Sequence, residues 1–231
     1  MVNARRRGYK RKVTAASSAQ RLILRGGRSA ALGFLIRFGA RLLFLFVAGR
    51  LFGATLFGAY AIAVAVVELA VTVGGAGLKR QIFKLLDEEA EGRSPPHILI
   101  DSAILVVAAS LACIVPVTAA MAILPGTMVA DNTEAALLLL APMILGQALL
   151  DLFLAATRWT HRMRHQVWAR SIIEPYAGVA AAILAWLLGW RETGLILGYW
   201  AGTTAALVYA VASARACLGP FRLAADRKSV V

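Results

Sequence analysis

The feature of this chain that most constrains its fold is a series of apolar stretches, each about twenty residues long, which short basic segments separate. A helix of about twenty apolar residues spans the hydrocarbon core of a bilayer, which is ~30 Å thick. The pattern therefore predicts an all-α integral membrane protein, a bundle of six transmembrane helices. The predicted helices are residues 29–49, 58–78, 98–124, 134–157, 171–190 and 195–214, which together form one lobe at 29–214.

The composition excludes an ordinary soluble domain. Hydrophobic residues make up 60% of the 231 residues, and the mean hydropathy is +0.72. A soluble domain is usually about 45–50% apolar. The net charge of +13 is typical of nucleic-acid binding, but here the basic residues lie between apolar stretches. Membrane topology explains them better, and we predict contact with membrane lipids and no nucleic-acid partner.

The basic residues are divided unequally between alternate segments. Nine of the 25 Lys and Arg lie in residues 1–28, and four lie in each of 79–97, 158–170 and 215–231. Only Arg50 and Arg191 fall in the opposite set of connections. An excess of Lys and Arg marks the cytoplasmic side. This predicts cytoplasmic tails at 1–28 and 215–231, the first a basic tail or interfacial segment.

The first apolar stretch contains two arginines in its middle, Arg37 and Arg41. They are four residues apart and therefore project from one face of a helix. An arginine within a bilayer is unfavourable by about 2.5 to 17 kcal/mol, depending on the method. One carboxylate cannot satisfy two guanidiniums, and arginine forks suit phosphate oxygens. Arg37 and Arg41 are thus predicted to contact an anionic substrate.

Other polar residues lie within the predicted spans. Glu68 lies in the second span, and Gln147 and Asp151 share one face of the fourth. These three are candidate cavity or coupling residues. A structural alternative pairs Glu68 with an arginine of the first helix, and pairs Asp101, Asp151 and Glu174 with arginines of the cytoplasmic loops.

Small residues mark predicted sites of close helix packing. Gly194, Gly198 and Gly202 recur at every fourth position, a seam that lets another helix approach within the lobe or on a partner. No pattern of residues predicts a metal site or a cofactor. No enzyme motif such as HExxH, GxSxG or a P-loop is present either, which favours a transporter over an enzyme.

The first 85 residues carry a family resemblance. The segment Arg50-Leu-Phe-Gly-Ala-Thr-Leu-Phe-Gly-Ala-Tyr60, with residues 25–34 before it and 74–79 after it, resembles the start of polysaccharide-biosynthesis flippases. These are O-antigen and polysaccharide exporters of the multidrug/oligosaccharidyl-lipid/polysaccharide superfamily, which have a MATE-like fold. In that family a turn with glycine, phenylalanine, glycine and tyrosine links the first two helices, and here Gly53, Phe57, Gly58 and Tyr60 match it. Gly53 and Gly58 are accordingly expected to pack helices together.

The resemblance implies transport of a polyprenyl-pyrophosphate-linked oligosaccharide across the bacterial inner membrane, in the biosynthesis of O-antigen, lipopolysaccharide or another surface polysaccharide. It further implies that basic residues of the first helix, here Arg37 and Arg41, meet the pyrophosphate. Family members usually have two six-helix lobes, whereas this chain supplies one. A second lobe or a second copy is therefore an expected partner.

Two other functions remain open at this stage. One is a cation-coupled multidrug antiporter lobe of the same superfamily, which predicts acidic rather than basic cavity residues. The other is a membrane scaffold subunit that does not transport.

Overall fold

The structure is a computed structural model that describes residues 2–75, 95–123, 131–160 and 164–218. Every regular element in these ranges is helical. We number the α-helices in chain order and call the single π-helix the π-turn. The helices are α1 (Val2–Gly75), α2 (Pro95–Ile123), α3 (Asp131–Leu140), α4 (Met143–Trp159), α5 (Arg164–Val167), the π-turn (Trp168–Ile173), α6 (Glu174–Leu187) and α7 (Gly194–Leu218).

Helix α1 is a hairpin that reverses at a single residue. Gly53 has φ 81° and ψ 165°, while the residues on both sides are helical. The rings of Phe44 and Tyr60 lie 5.7 Å apart between centroids. In a straight helix sixteen residues would separate them by about 24 Å. The two halves of α1 therefore pack against each other.

The hairpin corrects two predictions. The first helix was predicted to end at residue 49 and the second to begin at residue 58, with a turn between them. Instead the helix continues through Phe52 and resumes directly after Gly53, so Phe57, Gly58 and Tyr60 are helical. A backbone of this kind is almost confined to glycine, and one residue is enough to reverse the chain. Residues 2–28, predicted as a tail or interfacial segment, are helical and continuous with α1.

We expect Gly53→Ala to destabilise the protein by about 1–3 kcal/mol, because a side chain at this φ and ψ is strained. An added Cβ would meet no atom within 4 Å, so the effect would come from the backbone alone. Unfolding in detergent with a chemical denaturant measures it. Gly49→Ala is the matched control, since Gly49 is helical and equally open. A control variant that is as unstable as Gly53→Ala would contradict the strain argument.

The fourth predicted span, 134–157, is bent. Thr133–Leu140 and Met143–Trp159 meet at 44° around Ala141 and Pro142. Proline has no N–H to donate to the preceding turn, which explains the position of the bend. The third and sixth predicted spans agree with α2 and α7 to within a few residues at each end.

The fifth span begins earlier than predicted. Helix runs from Arg164 through the π-turn into α6 and ends at Leu187, whereas the prediction was 171–190. Arg170 therefore lies inside this span and not in a cytoplasmic loop. The basic loop predicted at 79–97 lies mostly outside the described residues, and the tail at 215–231 lies outside them after Leu218.

Several described helices are suited to a membrane. Four are long and apolar enough to cross one, or five if the bent pair α3 and α4 counts as a single span. They are Phe34–Val73, which contains the hairpin, Leu99–Ala120, Arg164–Leu187 and Gly194–Leu218. Their outward faces carry large exposed side chains such as Phe46, Ile104 and Leu184, as lipid contact requires. The protein is therefore a multi-pass membrane protein.

The core lies where the α1 hairpin meets α3, α4, α6 and α7. Phe52, Tyr60, Leu140, Ile144 and Leu195 are among its buried residues. Phe52 packs closely against Gly194, at the start of α7. This contact places the Gly53 reversal and the α6–α7 turn at the same end of the bundle.

Candidate functional site: a buried arginine cluster

Five polar side chains meet between α4, the π-turn, α6 and α7. We call them the Arg170 cluster: Gln147, Asp151, Arg170, Glu174 and Thr203. Thr203 is 1% exposed and Gln147 is 6% exposed. At 1.5 Å per residue, Thr203 lies about 14 Å from the start of α7 and about 22 Å from its end. The cluster is thus deep within the bundle and not at its surface.

Arg170 is the centre of the cluster. Its Nη2 donates to Asp151 Oδ1, and its Nη1 lies 3.2 and 3.1 Å from the two carboxylate oxygens of Glu174. Nη1 also donates to Gln147 Oε1 at 2.6 Å. The guanidinium therefore joins α4 to α6, and its charge is shared by two carboxylates. Such pairing is how a charged group is accommodated inside a membrane protein.

Gln147 uses all of its hydrogen-bonding groups. Its Nε2 donates to Glu174 Oε1 at 2.8 Å and to Thr203 Oγ1 at 3.0 Å, while its Oε1 accepts from Arg170. The directions of these bonds define the orientation of the amide. Gln147 thereby extends the network from α4 and α6 to α7.

The π-turn explains why Arg170 faces the cluster. Ala169 is fully buried in a small core that contains Ala206 and Ala210 of α7, and Gly178 lies against Gly198 of α7. In a regular α-helix, Ala169 and Gly178 would be nine residues and about 180° apart, on opposite faces. The π-turn, in which the Glu174 N–H donates to Ala169 O, contains one extra residue.

Because the π-turn takes up one extra residue, the angle between Ala169 and Gly178 around the helix axis is reduced from about 180° to about 80°. Both residues can therefore face α7. Arg170 follows Ala169 directly and is carried toward α4, where Gln147 and Asp151 lie. A π-turn is often found at a functional site. Here its local effect is to position the guanidinium.

The glycine seam of α7 packs within the chain. A Cβ on Gly202 would lie 2.5 Å from Glu174 O, and one on Gly198 would lie 2.8 Å from Gly178 O. The backbones of α6 and α7 are therefore in contact beside the cluster. At Gly58, as at Gly53, an added Cβ would meet no atom within 4 Å, so close packing is not seen there among the described residues.

Arg37 and Arg41 lie apart from the cluster, on α1. Both are exposed, although Ala48 on the same helix face is fully buried nearer Gly53 and Phe44 on that face packs against the core. Arg37 is sixteen residues and Arg41 twelve residues before Gly53, or about 24 and 18 Å along the helix. These distances put them at the depth of the hydrocarbon core if Gly53 lies near its boundary.

Glu68 does not neutralise these arginines. Phe44 contacts Tyr60 across the hairpin, so Arg37 is level with Val67 and Glu68 on the returning segment. Val67 is fully buried, but Glu68 is exposed on a different face. Among the described residues no ion pair joins Glu68 to Arg37 or Arg41, and the structural alternative of that pairing is wrong.

The pairing with an arginine is confirmed for Asp151 and Glu174, which both bind Arg170, but this arginine lies inside the fifth span and not in a cytoplasmic loop as predicted. For Asp101, which is exposed, the pairing stays a prediction, because Arg80, Arg93 and Arg162 of the predicted loops lie outside the described residues. Sequence reasoning recognised Gln147 and Asp151 but missed Arg170, Glu174 and Thr203 as site residues. The available signal was the pair Arg170 and Glu174, four residues apart, in a segment that can oppose Gln147 and Asp151.

The fold and the buried cluster together define a class, a multi-pass helical membrane protein that keeps an ionised network inside its bundle. Within the described residues no three His, Cys, Asp or Glu side chains are grouped so that they could hold a metal ion.

A family model described as "Polysaccharide biosynthesis protein" matches residues 23–231. The chain belongs to this family, and the resemblance to polysaccharide-biosynthesis flippases is confirmed. No curated protein and no solved structure matches the chain.

Proposed function

We propose that this chain is a flippase lobe that moves a polyprenyl-pyrophosphate-linked oligosaccharide to the outer leaflet for cell-surface polysaccharide biosynthesis. Arg37 and Arg41 contact the pyrophosphate. The observation that carries this proposal is the exposure of both guanidiniums on one flank of α1, without an ion pair to Glu68. Two neighbouring guanidiniums offer ten N–H donors to an anion with several oxygens.

The charge on α1 favours this function over that of a cation-coupled multidrug antiporter. A site for a cationic drug calls for exposed acidic residues, and α1 presents two arginines in its first segment and Glu68 in its second. The acids of the Arg170 cluster are occupied by an internal cation. In this proposal Gln147, Asp151 and Glu68 are coupling candidates, away from the pyrophosphate.

The topology that suits this function has six passes with both ends in the cytoplasm of a bacterial cell. The contact of Phe44 with Tyr60 supports two passes in Phe34–Val73, because the chain folds back on itself around Gly53. With the bent pair and the three other spans, the number is six. A cavity that opens alternately to two sides needs a second wall, which a second lobe or a second copy of the chain supplies.

We expect Arg37→Ala and Arg41→Ala each to weaken binding of the lipid-linked substrate about 10- to 100-fold, since a hydrogen bond to a charged group contributes about 1.5–3 kcal/mol. The assay is complementation of a deletion strain, with lipid-linked sugar measured in the inner leaflet. Purified protein and a polyprenyl pyrophosphate give the binding constant. The double variant with Arg37→Lys and Arg41→Lys keeps both positive charges but loses the planar guanidinium groups that donate paired hydrogen bonds. It should therefore bind the substrate more tightly than the alanine variants but more weakly than the unmodified chain.

Arg50→Ala is the matched control, because Arg50 is an exposed arginine on the same helix but lies beside the Gly53 reversal. It should bind and complement as the unmodified chain does. Normal transport by the double alanine variant would refute the assignment of these arginines. If lipid-linked sugar accumulated equally in the inner leaflet with Arg37→Ala, Arg41→Ala and Arg50→Ala, the result would indicate a general loss of function and not a phosphate site.

A further inference from the structure

A groove lies between α2 and α4 and opens to the surface of the bundle at Ile104, which is 62% exposed. Its volume is about 270 Å³, and its six lining residues are Leu99, Ile100, Ala103, Ile104 and Val107 of α2 and Phe153 of α4. None of these six has a polar side chain. An apolar cavity of this kind favours hydrocarbon over water.

The groove lies at one end of the bundle. Leu99 is 1% exposed and is buried with Ala156 and Ala214, which lie near the ends of α4 and α7. This end is opposite the Gly53 reversal, which lies at the start of α7. From Leu99 to Val107 the groove extends about 12 Å along α2. That length fits within one leaflet, whose share of the hydrocarbon core is about 15 Å.

Helix α2 is the least enclosed of the candidate spans. In the part of the chain that the structure describes, its apolar window is 11% buried, against 28–39% in the three other spans. In a bilayer, van der Waals packing and not the hydrophobic effect holds helices together. An empty groove would therefore weaken the contact of α2 with α4, whereas a chain that fills the groove supplies the missing dispersion contacts.

We propose that this α2–α4 groove binds one acyl chain of a membrane phospholipid, which completes the packing of α2. The groove is continuous with the lipid-contact face of α2, because Ile104 belongs to both. An apolar cavity of about 150 Å³ holds one benzene molecule, so this groove has room for about ten carbon atoms of a chain. The proposal does not depend on the transported substrate, so it stands or fails separately from the flippase assignment.

Photolabelling of the full chain in phospholipid nanodiscs tests the site. A small fraction of the phospholipid carries a diazirine in one acyl chain, and mass spectrometry locates the label. Ile104 should receive about fivefold more label than Leu105, which corresponds to a preference of about 1 kcal/mol. Leu105 is the matched control, because it is the next residue and is 53% exposed but does not line the groove. Equal labelling of the two residues overturns the proposal.

Variants that fill the groove give a second test. Ala103→Phe and Val107→Phe each place a ring in the groove, so one serves if the other fails to fold. Either should reduce the label at Ile104 to the level of Leu105. Either should also gain less thermal stability from phospholipid added in detergent, because a ligand stabilises the folded state that binds it.

Leu105→Phe is the control for added bulk outside the groove, and it should leave the labelling of Ile104 and the thermal gain unchanged. Unaltered labelling of Ile104 in a folded Ala103→Phe or Val107→Phe variant overturns the proposal.

Two other occupants of the groove would be detected. A polyprenyl phosphate with the same diazirine, at the same mole fraction, should label Ile104 no more than the phospholipid does. Stronger labelling by the polyprenyl chain overturns the assignment to a phospholipid. With a photoreactive amino acid in place of Ile104, the crosslinked product should be phospholipid, and capture of a second copy of the chain overturns the proposal as well.

Discussion

Replacement of Arg170 by alanine is expected to destabilise the protein by about 3–5 kcal/mol, the largest effect of any single substitution considered for this chain. The reason is that Asp151 and Glu174 share this guanidinium deep in the bundle, and their side chains are each only 20% exposed. Removing one partner of a buried ion pair leaves the other charges uncompensated. Gln147 would lose the donor to its Oε1 at the same time.

The measurement is the free energy of unfolding in detergent, taken from denaturant titration followed by circular dichroism. Arg164→Ala is the matched control, since Arg164 lies on the same continuous helix but is exposed. It should change the free energy of unfolding by less than about 0.5 kcal/mol.

A compensating variant separates charge from packing. Arg170→Met combined with Asp151→Asn and Glu174→Gln removes all three charges at nearly constant volume. We expect this triple variant to recover most of the lost stability, because neutral replacements of a buried ionic network are often neutral or stabilising. If the triple variant were as unstable as Arg170→Ala, loss of the arginine's packing and not of its charge would explain the result.

Substitution of Gly202 by alanine is expected to destabilise the protein by about 1–3 kcal/mol, the usual range for overpacking. Its Cβ would lie 2.5 Å from the carbonyl oxygen of Glu174 and 3.3 Å from Gly178 Cα, which are both backbone atoms. Backbone cannot move aside as a flexible side chain can, so α6 and α7 would have to separate. Separation would also lengthen the bond between Gln147 and Thr203.

Gly58→Ala is the control for this experiment, because Gly58 is helical and an added Cβ there would meet nothing within 4 Å. Alanine is favoured over glycine in a helix by about 0.5–1 kcal/mol, so this variant should be at least as stable as the unmodified chain. Thermal unfolding of both variants in the same detergent compares them. A Gly202→Ala variant as stable as Gly58→Ala would mean that α6 and α7 tolerate a wider separation.

Much of the fold could be predicted from local patterns in the sequence. Apolar stretches of about twenty residues indicated membrane helices, and the resemblance around Gly53 and Tyr60 indicated the family that the match over residues 23–231 confirms. The bounds of α2 and α7 follow closely from where apolar runs begin and end. These features depend on residues near one another in the chain, so periodicity and composition are enough to detect them.

Two features, the reversal at Gly53 and the π-turn, each occupy no more than about one helical turn and could not be predicted from periodicity and composition. The reversal at Gly53 occupies one residue, and the surrounding sequence is apolar enough to continue as a helix on both sides. The π-turn has no distinct composition, because the bond from Glu174 N–H to Ala169 O replaces an ordinary α-helical bond. Its extra residue turns Arg170 toward α4, inside a helical span that begins at Arg164.

The sequence by itself determined that this is a multi-pass membrane protein of the polysaccharide biosynthesis family with Arg37 and Arg41 on its first helix. The tertiary structure alone decided which charges are neutralised. Arg170 and Asp151 are 19 residues apart and meet because α4 and α6 both pack on α7. Glu68, by contrast, is level with Arg37 in the hairpin, but no ion pair joins the two among the described residues. In a low-dielectric interior the energy of a charge depends on the partners within a few ångströms, and only the packing of the helices determines those partners.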